Sequence, residues 1–153
     1  MSNSPICVDA SFVARLFVGP EDGQAWKLLD GWSEEGRTVC APTLLMYELA
    51  NVFYRYYKAG HLSLVTTELV LEAALELPLR LEPVEALSKT ALRLAASLKL
   101  PATYDAFYLA LAERLNTELW TADARLQKKA GKEGPVVRVI ESFKAATGRA
   151  TTR

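Results

Sequence analysis

Cysteine and histidine are scarce in this sequence, which has two Cys and one His among 153 residues. They are too few for a disulfide framework or a zinc site made from these ligands alone. Cys7 and Cys40 each lie in a short apolar run that predicts a buried strand, so we expect two reduced core thiols. His61 follows Gly60 after a predicted helix, and we expect it in a surface loop.

An excess of either charge is also absent, because 18 Lys and Arg balance 18 Asp and Glu. This balance argues against a protein that coats nucleic acid through bulk positive charge, although it leaves room for one local binding groove. The sequence has no 18-residue apolar run and no basic start followed by an apolar core. We therefore expect no membrane span, no signal peptide and a cytoplasmic location.

Glycine-rich phosphate-binding loops are missing as well. The sequence contains neither a Gly-x-Gly-x-x-Gly motif nor a Gly-Lys-Ser/Thr loop. Dinucleotide binding and nucleotide hydrolysis of the usual kinds therefore have no motif here.

Strand and helix patterns alternate along the chain. Short apolar or alternating runs predict strands at residues 6–8, 38–41, 79–82, 118–121 and 136–140. Helical periodicity and end signals predict helices at residues 11–18, 21–35, 44–59, 64–76, 84–98, 105–115 and 124–130. This order predicts one α/β domain over residues 1–143 with a mostly parallel central sheet, followed by a flexible tail over residues 144–153.

Four acidic residues fall near predicted strand ends or helix starts. Asp9 and Asp123 follow strands, whereas Glu48 and Asp105 lie in the first turns of helices. Ligands of open α/β sheets bind beyond the carboxyl ends of the strands, so parallel strands would let the four acids converge on one rim. Each Asp alone also fits an ordinary helix cap or a first-turn acid.

Glu48 is harder to explain as a surface residue, because its neighbours in the sequence are nearly all apolar. A carboxylate in a buried stretch is costly unless it is paired or holds a metal ion. Clustered carboxylates raise one another's pKa values, and a divalent cation reverses that cost. Oxygen ligands without His or Cys suit Mg²⁺ or Mn²⁺, and such a site favours phosphodiester hydrolysis.

The segments around these acids resemble the acidic motifs of PIN-domain nucleases, most closely those of the VapC-type toxins. They occur in the family's order, and the likeness covers about residues 5 to 141. The segments are Val8-Asp9-Ala10-Ser11, Tyr47-Glu48-Leu49-Ala50-Asn51-Val52, Tyr104-Asp105-Ala106-Phe107-Tyr108-Leu109-Ala110-Leu111-Ala112 and Thr121-Ala122-Asp123-Ala124-Arg125-Leu126.

The resemblance implies a three-layer α/β/α sandwich and Mg²⁺- or Mn²⁺-dependent cleavage of RNA, usually by a homodimer. The catalytic metal ligands that it implies are Asp9, Glu48, Asp105 and Asp123. Ser11 and Thr121 match hydroxyl positions near the site, and Asn51 is a candidate donor one turn after Glu48.

The resemblance also implies an antitoxin protein as a partner. Helix 44–59 is rich in tyrosine, which fits a surface for a partner helix or a second subunit, or equally a core with an amphipathic rim. Six basic residues are candidate phosphate contacts or simply a solvated face: Arg55, Lys58, Arg93, Arg125, Lys128 and Lys129.

One departure from the family pattern affects the number of metal ions. Many relatives carry a further acid or Asn shortly after the fourth acid, but here Arg125-Leu126-Gln127 follows Asp123. We therefore expect one well-held ion. The leading hypothesis is a toxin-like endoribonuclease, and the alternative is an inactive PIN-like module that binds RNA or protein. A phosphatase is disfavoured, because Asp9-Ala10-Ser11 lacks the required Asp-x-Asp pair.

Overall fold

The computed structural model describes residues 4–19 and 23–140. Within these ranges, five strands form one sheet in the order β3-β2-β1-β4-β5, and every neighbouring pair is parallel. The sheet is thus wholly parallel rather than mostly so. The strands are β1 (Ile6–Val8), β2 (Val39–Pro42), β3 (Arg80–Glu82), β4 (Leu119–Thr121) and β5 (Val137–Val139).

Seven helices in the described ranges connect these strands. They are α1 (Ala10–Arg15), α2 (Gln24–Glu34), α3 (Leu44–Lys58), α4 (Leu64–Leu75), α5 (Val84–Ser97), α6 (Tyr104–Arg114) and α7 (Ala124–Ala130). The chain steps from β1 to β2 to β3 and then returns across the sheet to β4 and β5. Because such crossovers are right-handed, α1–α4 cover one face and α5–α7 the other, which gives the expected α/β/α sandwich.

Local signals explain several helix ends. The Ser63 hydroxyl accepts a hydrogen bond from the Thr66 N–H at 3.1 Å, as expected for the cap of α4. Gly60 follows α3 with a φ of +80°, a conformation that a residue without Cβ adopts at little cost. Predicted and observed ends differ by a few residues, most at α1, which ends at Arg15 and continues as a turn.

The core lies on both faces of the sheet. Helix α6 packs against β1, β2 and β4, and its residues from Tyr108 to Ala112 are all buried. On the other face, the Trp32 ring stacks on Phe12 at a centroid distance of 5.5 Å and meets Trp120 edge-on at 5.7 Å.

Cys7 and Cys40 face each other in the register of β1 and β2, and both are buried and free, as predicted. Burial raises the pKa of the Cys7 thiol to about 12, with smaller effects from neighbouring charges. This thiol is therefore a packing residue and a poor nucleophile at neutral pH.

Three predictions fall partly or wholly outside the described residues. These are the start of the second helix at residue 21, the domain end at residue 143 and the tail over residues 144–153. No helix in the described part of the chain is long and apolar enough to cross a membrane.

We expect Leu109→Ala to lower the free energy of unfolding by about 2 to 5 kcal/mol, because the Leu109 side chain is fully buried in α6 and its loss leaves a cavity. Urea unfolding measures the change. The matched control is Leu92→Ala on α5, where the side chain is 63% exposed and the expected cost is below about 0.5 kcal/mol. Equal costs for the two variants would contradict the packing described here.

Candidate functional site

The candidate site lies where the connections of two adjacent strands diverge. Strands β1 and β4 are neighbours, but the chain leaves β1 towards β2 and leaves β4 towards β5. A crevice opens at the carboxyl ends of the strands at such a point, and ligands of α/β proteins bind there. Asp9 follows β1, Thr121 ends β4 and Asp123 caps α7.

Asp9 is held in one orientation by three hydrogen bonds. Its Oδ1 accepts from the Ser11 hydroxyl at 2.7 Å and from the Phe12 N–H at 2.9 Å, and its Oδ2 accepts from the Thr121 hydroxyl at 2.5 Å. The residue is 7% exposed. The Phe12 contact also caps α1, so this carboxylate can act as an ordinary helix cap and as a functional group.

The hydroxyls of Ser11 and Thr121 join the two strand ends. They lie 3.0 Å apart, and each accepts a backbone N–H from the turn after β4. The Ala122 N–H donates to Ser11 at 2.9 Å, and the Asp123 N–H donates to Thr121 at 3.0 Å. Ser11 and Thr121, two of the three predicted supporting residues, therefore touch Asp9 and position the segment that carries Asp123.

Burial raises the pKa of Asp9 to about 6. Its hydrogen bonds from Thr121, Phe12 and Ser11 favour the charged form and oppose this effect, whereas the negative charge of Glu48 adds to it. The protein thus carries a desolvated carboxylate whose charge is only partly compensated by hydrogen bonds.

Glu48 lies in the second turn of α3 and is half-buried. Its Oε1 is buried and, like the Tyr108 Oη, makes no hydrogen bond of normal geometry within residues 4–19 and 23–140. Burial raises the pKa of Glu48, Asp105 raises it further, and Tyr108 and Arg55 oppose the rise. Burial and the charge of Glu48 in turn raise the pKa of the Tyr108 hydroxyl, so the two groups lie close together.

Asp105 and Asp123 are more exposed, and each lies beside a basic side chain. The Lys129 ammonium is 3.9 Å from Asp105 Oδ2. Burial and the charge of Asp123 raise the pKa of Asp105, although Lys129 and Arg125 oppose the rise. Burial alone would raise the pKa of Asp123, but its hydrogen bonds and ion pair with Arg125, at 3.1 Å, lower it instead.

The four predicted acids are electrostatic neighbours in one continuous row. Glu48 raises the pKa of Asp9, Asp105 raises that of Glu48, and Asp123 raises that of Asp105. Even so, no three acidic, histidine or cysteine side chains of the described ranges are arranged to hold a metal ion together. Asp123 lies beside Arg125, and Asp105 lies beside Lys129. These two basic side chains supply part of the positive charge that a metal ion would supply.

The residues of this row fit a divalent cation by their chemistry. All four offer carboxylate oxygens, the ligand type that Mg²⁺ and Mn²⁺ prefer. The buried Glu48 Oε1 has unused acceptor capacity, and such a buried polar group normally has a partner. Bound positive charge would also offset the burial, and the weaker mutual repulsion, that raise three of the four pKa values.

The third supporting residue behaves differently from Ser11 and Thr121. Asn51 is exposed on α3, and its side chain makes no hydrogen bond with the described residues. Tyr108 is a site residue that sequence analysis did not single out. The available signal was its spacing, because Tyr108 lies three residues after Asp105 and so on the same side of α6.

Comparison with known protein families identifies the domain. The sequence model of the PIN domain matches residues 6–132, which is most of the chain. The chain belongs to the PIN domain family. None of the curated proteins matches the sequence significantly.

Several solved structures share the fold. A protein from Pyrobaculum aerophilum, PAE2754, superimposes with a TM-score of 0.62 at 23% identity, covering 88% of this chain and 84% of its own. VapBC2 from Rickettsia felis, bound to a DNA fragment from its promoter, gives a TM-score of 0.66 at 12% identity, with coverages of 89% and 98%. Mycobacterium tuberculosis VapC20, described as a toxin that cleaves the sarcin-ricin loop, gives a TM-score of 0.57 at 20% identity. The match covers 82% of this chain and 95% of VapC20.

We expect the pKa of Asp9 to make metal-free protein less stable as the pH rises. The pKa of Asp9 is about 6 in the folded protein, and its ordinary value is 3.8. Its contribution to the free energy of unfolding is therefore fully present below pH 3.8 and is lost as the pH rises through about 6. A shift of this size corresponds to about 3 kcal/mol. Asp9→Asn removes the effect, so the stability of the variant relative to the wild type should increase between pH 4.5 and pH 7.5 in EDTA.

Urea unfolding at several pH values measures this difference. The matched control is Asp30→Asn on α2, an exposed position where we expect less than about 0.5 kcal/mol of change at every pH. A constant difference between wild type and Asp9→Asn across this range would show that Asp9 titrates normally.

Proposed function

We propose that this PIN-domain protein is a metal-dependent endoribonuclease that hydrolyses RNA phosphodiester bonds. The observation that carries the proposal is the row of neighbouring, like-charged carboxylates at the β1–β4 crevice, which includes the buried Glu48 Oε1 that makes no hydrogen bond of normal geometry with the described residues. A domain with only a packing or binding function gains nothing from such repulsion. The row is therefore best explained by a cation that binds there.

Asp9, Glu48, Asp105 and Asp123 would hold Mg²⁺ or Mn²⁺. When bound, such an ion lowers the pKa of a water molecule and stabilises negative charge on a phosphoryl group. Asp9 is already oriented for binding, because Ser11, Thr121 and the Phe12 N–H fix both of its oxygens. The buried Glu48 Oε1 makes no hydrogen bond of normal geometry with the described residues and keeps acceptor capacity beside Tyr108.

Arg125 and Lys129 lie at the more exposed end of the row. Both are exposed and lie beside Asp123 and Asp105, respectively. A cation bound by these two carboxylates would compete with the basic side chains for the same oxygens. Arg125 and Lys129 would then be available to contact the phosphates of RNA, as guanidinium and ammonium groups do. Asn51 lies one turn after Glu48 and is a further candidate donor to the substrate.

We further propose that the protein is the toxin of a toxin–antitoxin pair, with an antitoxin as its partner and a second copy of the chain as its dimer partner. The structural neighbours include a toxin–antitoxin complex from Klebsiella pneumoniae, at 18% identity and a TM-score of 0.57. Helices α3 and α4 also expose apolar and aromatic side chains that suit a protein partner. These are Met46, Tyr47, Tyr54, Tyr57, Leu64, Val65, Leu69 and Leu75.

We expect purified protein to cleave RNA when Mg²⁺ or Mn²⁺ is present and to lose this activity in EDTA. Asp9→Asn and Glu48→Gln should each lower the cleavage rate at least about 100-fold, because each removes a charged ligand of the cation. Gel analysis of total cellular RNA, followed by sequencing of the new ends, measures cleavage whichever RNA is the target. Asp30→Asn is the control for charge removal away from the site.

Cleavage that persists both in EDTA and in Asp9→Asn would contradict the ribonuclease proposal. The toxin proposal has its own test, in which wild-type protein and Asp9→Asn are expressed in a bacterial host. Wild-type protein should arrest growth and the variant should not. Equal growth of the two cultures, with active enzyme present in the first, would contradict a toxin function.

Metal binding is measurable independently of activity. A ligand present at 100 times its Kd stabilises a protein by about 2.7 kcal/mol, which for a chain of this length raises the Tm by about 5 to 10 °C. We expect Mn²⁺ to produce a rise of this order in wild-type protein and little rise in Glu48→Gln. Glu85→Gln, at an exposed position of α5, should respond like the wild type. An equal rise in all three proteins would place the ion elsewhere.

A further inference from the structure

A cleft of about 510 Å³ opens beside the acidic row. Its walls come from α1, from α3 with the turn that follows it, and from the turn after β4. Ser11 and Asp123 are among its lining residues, so the cleft is continuous with the candidate active site. A ligand in the cleft would therefore lie directly beside the carboxylates.

The cleft carries an excess of positive charge. Arg15, Arg55 and Arg125 line it together with a single carboxylate, that of Asp123. Arg125 and Asp123 form an ion pair at 3.1 Å and largely neutralise each other. Arg15 and Arg55 form no ion pair with the described residues, although Arg55 also acts on the Glu48 carboxylate from a greater distance, in a chain whose formal net charge is zero. The positive charge here is thus a local feature rather than a property of the whole surface.

The guanidinium groups of Arg15 and Arg55 have no hydrogen bond or ion pair with any residue of the described ranges. Arg15 is half-buried at the last position of α1, and Arg55 lies in the last turn of α3. A helix C-terminus is a favourable place for a positive charge, but that interaction leaves the guanidinium N–H donors unused. Guanidinium groups with free donors on the wall of a cleft are suited to bind phosphate.

The same cleft contains an aromatic pair. The rings of Tyr56 and His61 both line it, with their centroids 6.1 Å apart and their planes at 64°. Unpaired nucleobases stack on exposed aromatic rings of this kind, and the stacking tolerates any base. Phosphate-binding and base-binding groups thus lie together in a space open to the active site.

We propose that this cleft binds the nucleotide adjacent to the phosphodiester bond that is cut, with its phosphate on Arg15 and Arg55 and its base against His61. The assignment rests on the proposed ribonuclease function. Arg15, Arg55 and His61 are positioning residues of the substrate, whereas the four carboxylates hold the cation. This division makes RNA binding and RNA cleavage separable by mutation.

The test of binding uses a fluorescein-labelled RNA decanucleotide of randomised sequence, with fluorescence anisotropy measured in EDTA. Arg15→Gln and Arg55→Gln should each weaken binding about fivefold or more. Each phosphate contact on a single strand contributes about 0.7 to the slope of log K against log salt, so the double variant, which leaves the one proposed phosphate without its contacts, should lower the slope by about 0.7. Arg114→Gln, at an exposed position in the last turn of α6, is the matched control and should bind as the wild type does.

His61 is tested with two variants. His61→Ala should weaken binding without changing the salt slope, and His61→Phe should restore the affinity because it keeps an aromatic ring. Thermal melts confirm that each variant is folded. Unchanged affinity and slope in Arg15→Gln/Arg55→Gln would overturn the assignment of the cleft, and unchanged affinity in His61→Ala would overturn the base contact.

A cleavage assay with Mn²⁺ separates this proposal from the ribonuclease proposal. If the cleft assignment is correct, the double variant should raise KM at least fivefold with a smaller change in kcat. Wild-type protein that cleaves RNA with the same KM and kcat as the double variant would overturn the cleft assignment alone. Wild-type protein that binds RNA through Arg15 and Arg55 but never cleaves it would overturn the ribonuclease proposal alone.

Discussion

The burial and clustering of carboxylates at one sheet edge is the constraint on which the organisation of this protein depends. Each member of the row from Asp9 through Glu48 and Asp105 to Asp123 is close enough to influence its neighbour. Burial, more than mutual repulsion, raises the pKa values of three of the four acids, and a basic side chain lies beside each of Asp105 and Asp123. Such a costly arrangement in an otherwise ordinary core is typical of a functional site.

The fold produces this arrangement through the position of one pair of strands. Because β1 and β4 are adjacent, the turns that follow them meet, although 110 positions separate Ser11 from Thr121. The hydroxyls of these two residues connect the turns and hold Asp9 between them. The opposite directions of the chain after β1 and β4 leave the crevice open, so a ligand can reach the carboxylates. The cleft that Arg15 and Arg55 line is continuous with the candidate site at the same crevice.

Sequence analysis predicted the sandwich fold and the parallel strands, and it named a helix cap as one role for Asp9; the structure confirms all three. It predicted that the four acids converge at one edge of the sheet. The structure makes them electrostatic neighbours, but no three of them in the described ranges are arranged to hold a metal ion together. Sequence analysis did not identify Tyr108 beside Glu48. It left Arg125 and Lys129 as candidate phosphate contacts or a solvated face and did not pair them with Asp123 and Asp105. These contacts depend on how long side chains orient in the folded protein, which spacing along the chain does not specify.

The sequence by itself determined the alternation of strands and helices, their approximate ends and the presence of an acid at each of four such ends. These features depend on periodicity, helix capping and turn residues, all of which act over a few neighbouring positions. Only the tertiary structure decided the order β3-β2-β1-β4-β5, the partner of each carboxylate and the meeting of Arg15, Arg55 and His61 in one cleft. Those outcomes depend on packing between residues that are far apart in the chain. Electrostatic interactions, likewise, depend on the distance between charges in space and not on their separation along the chain.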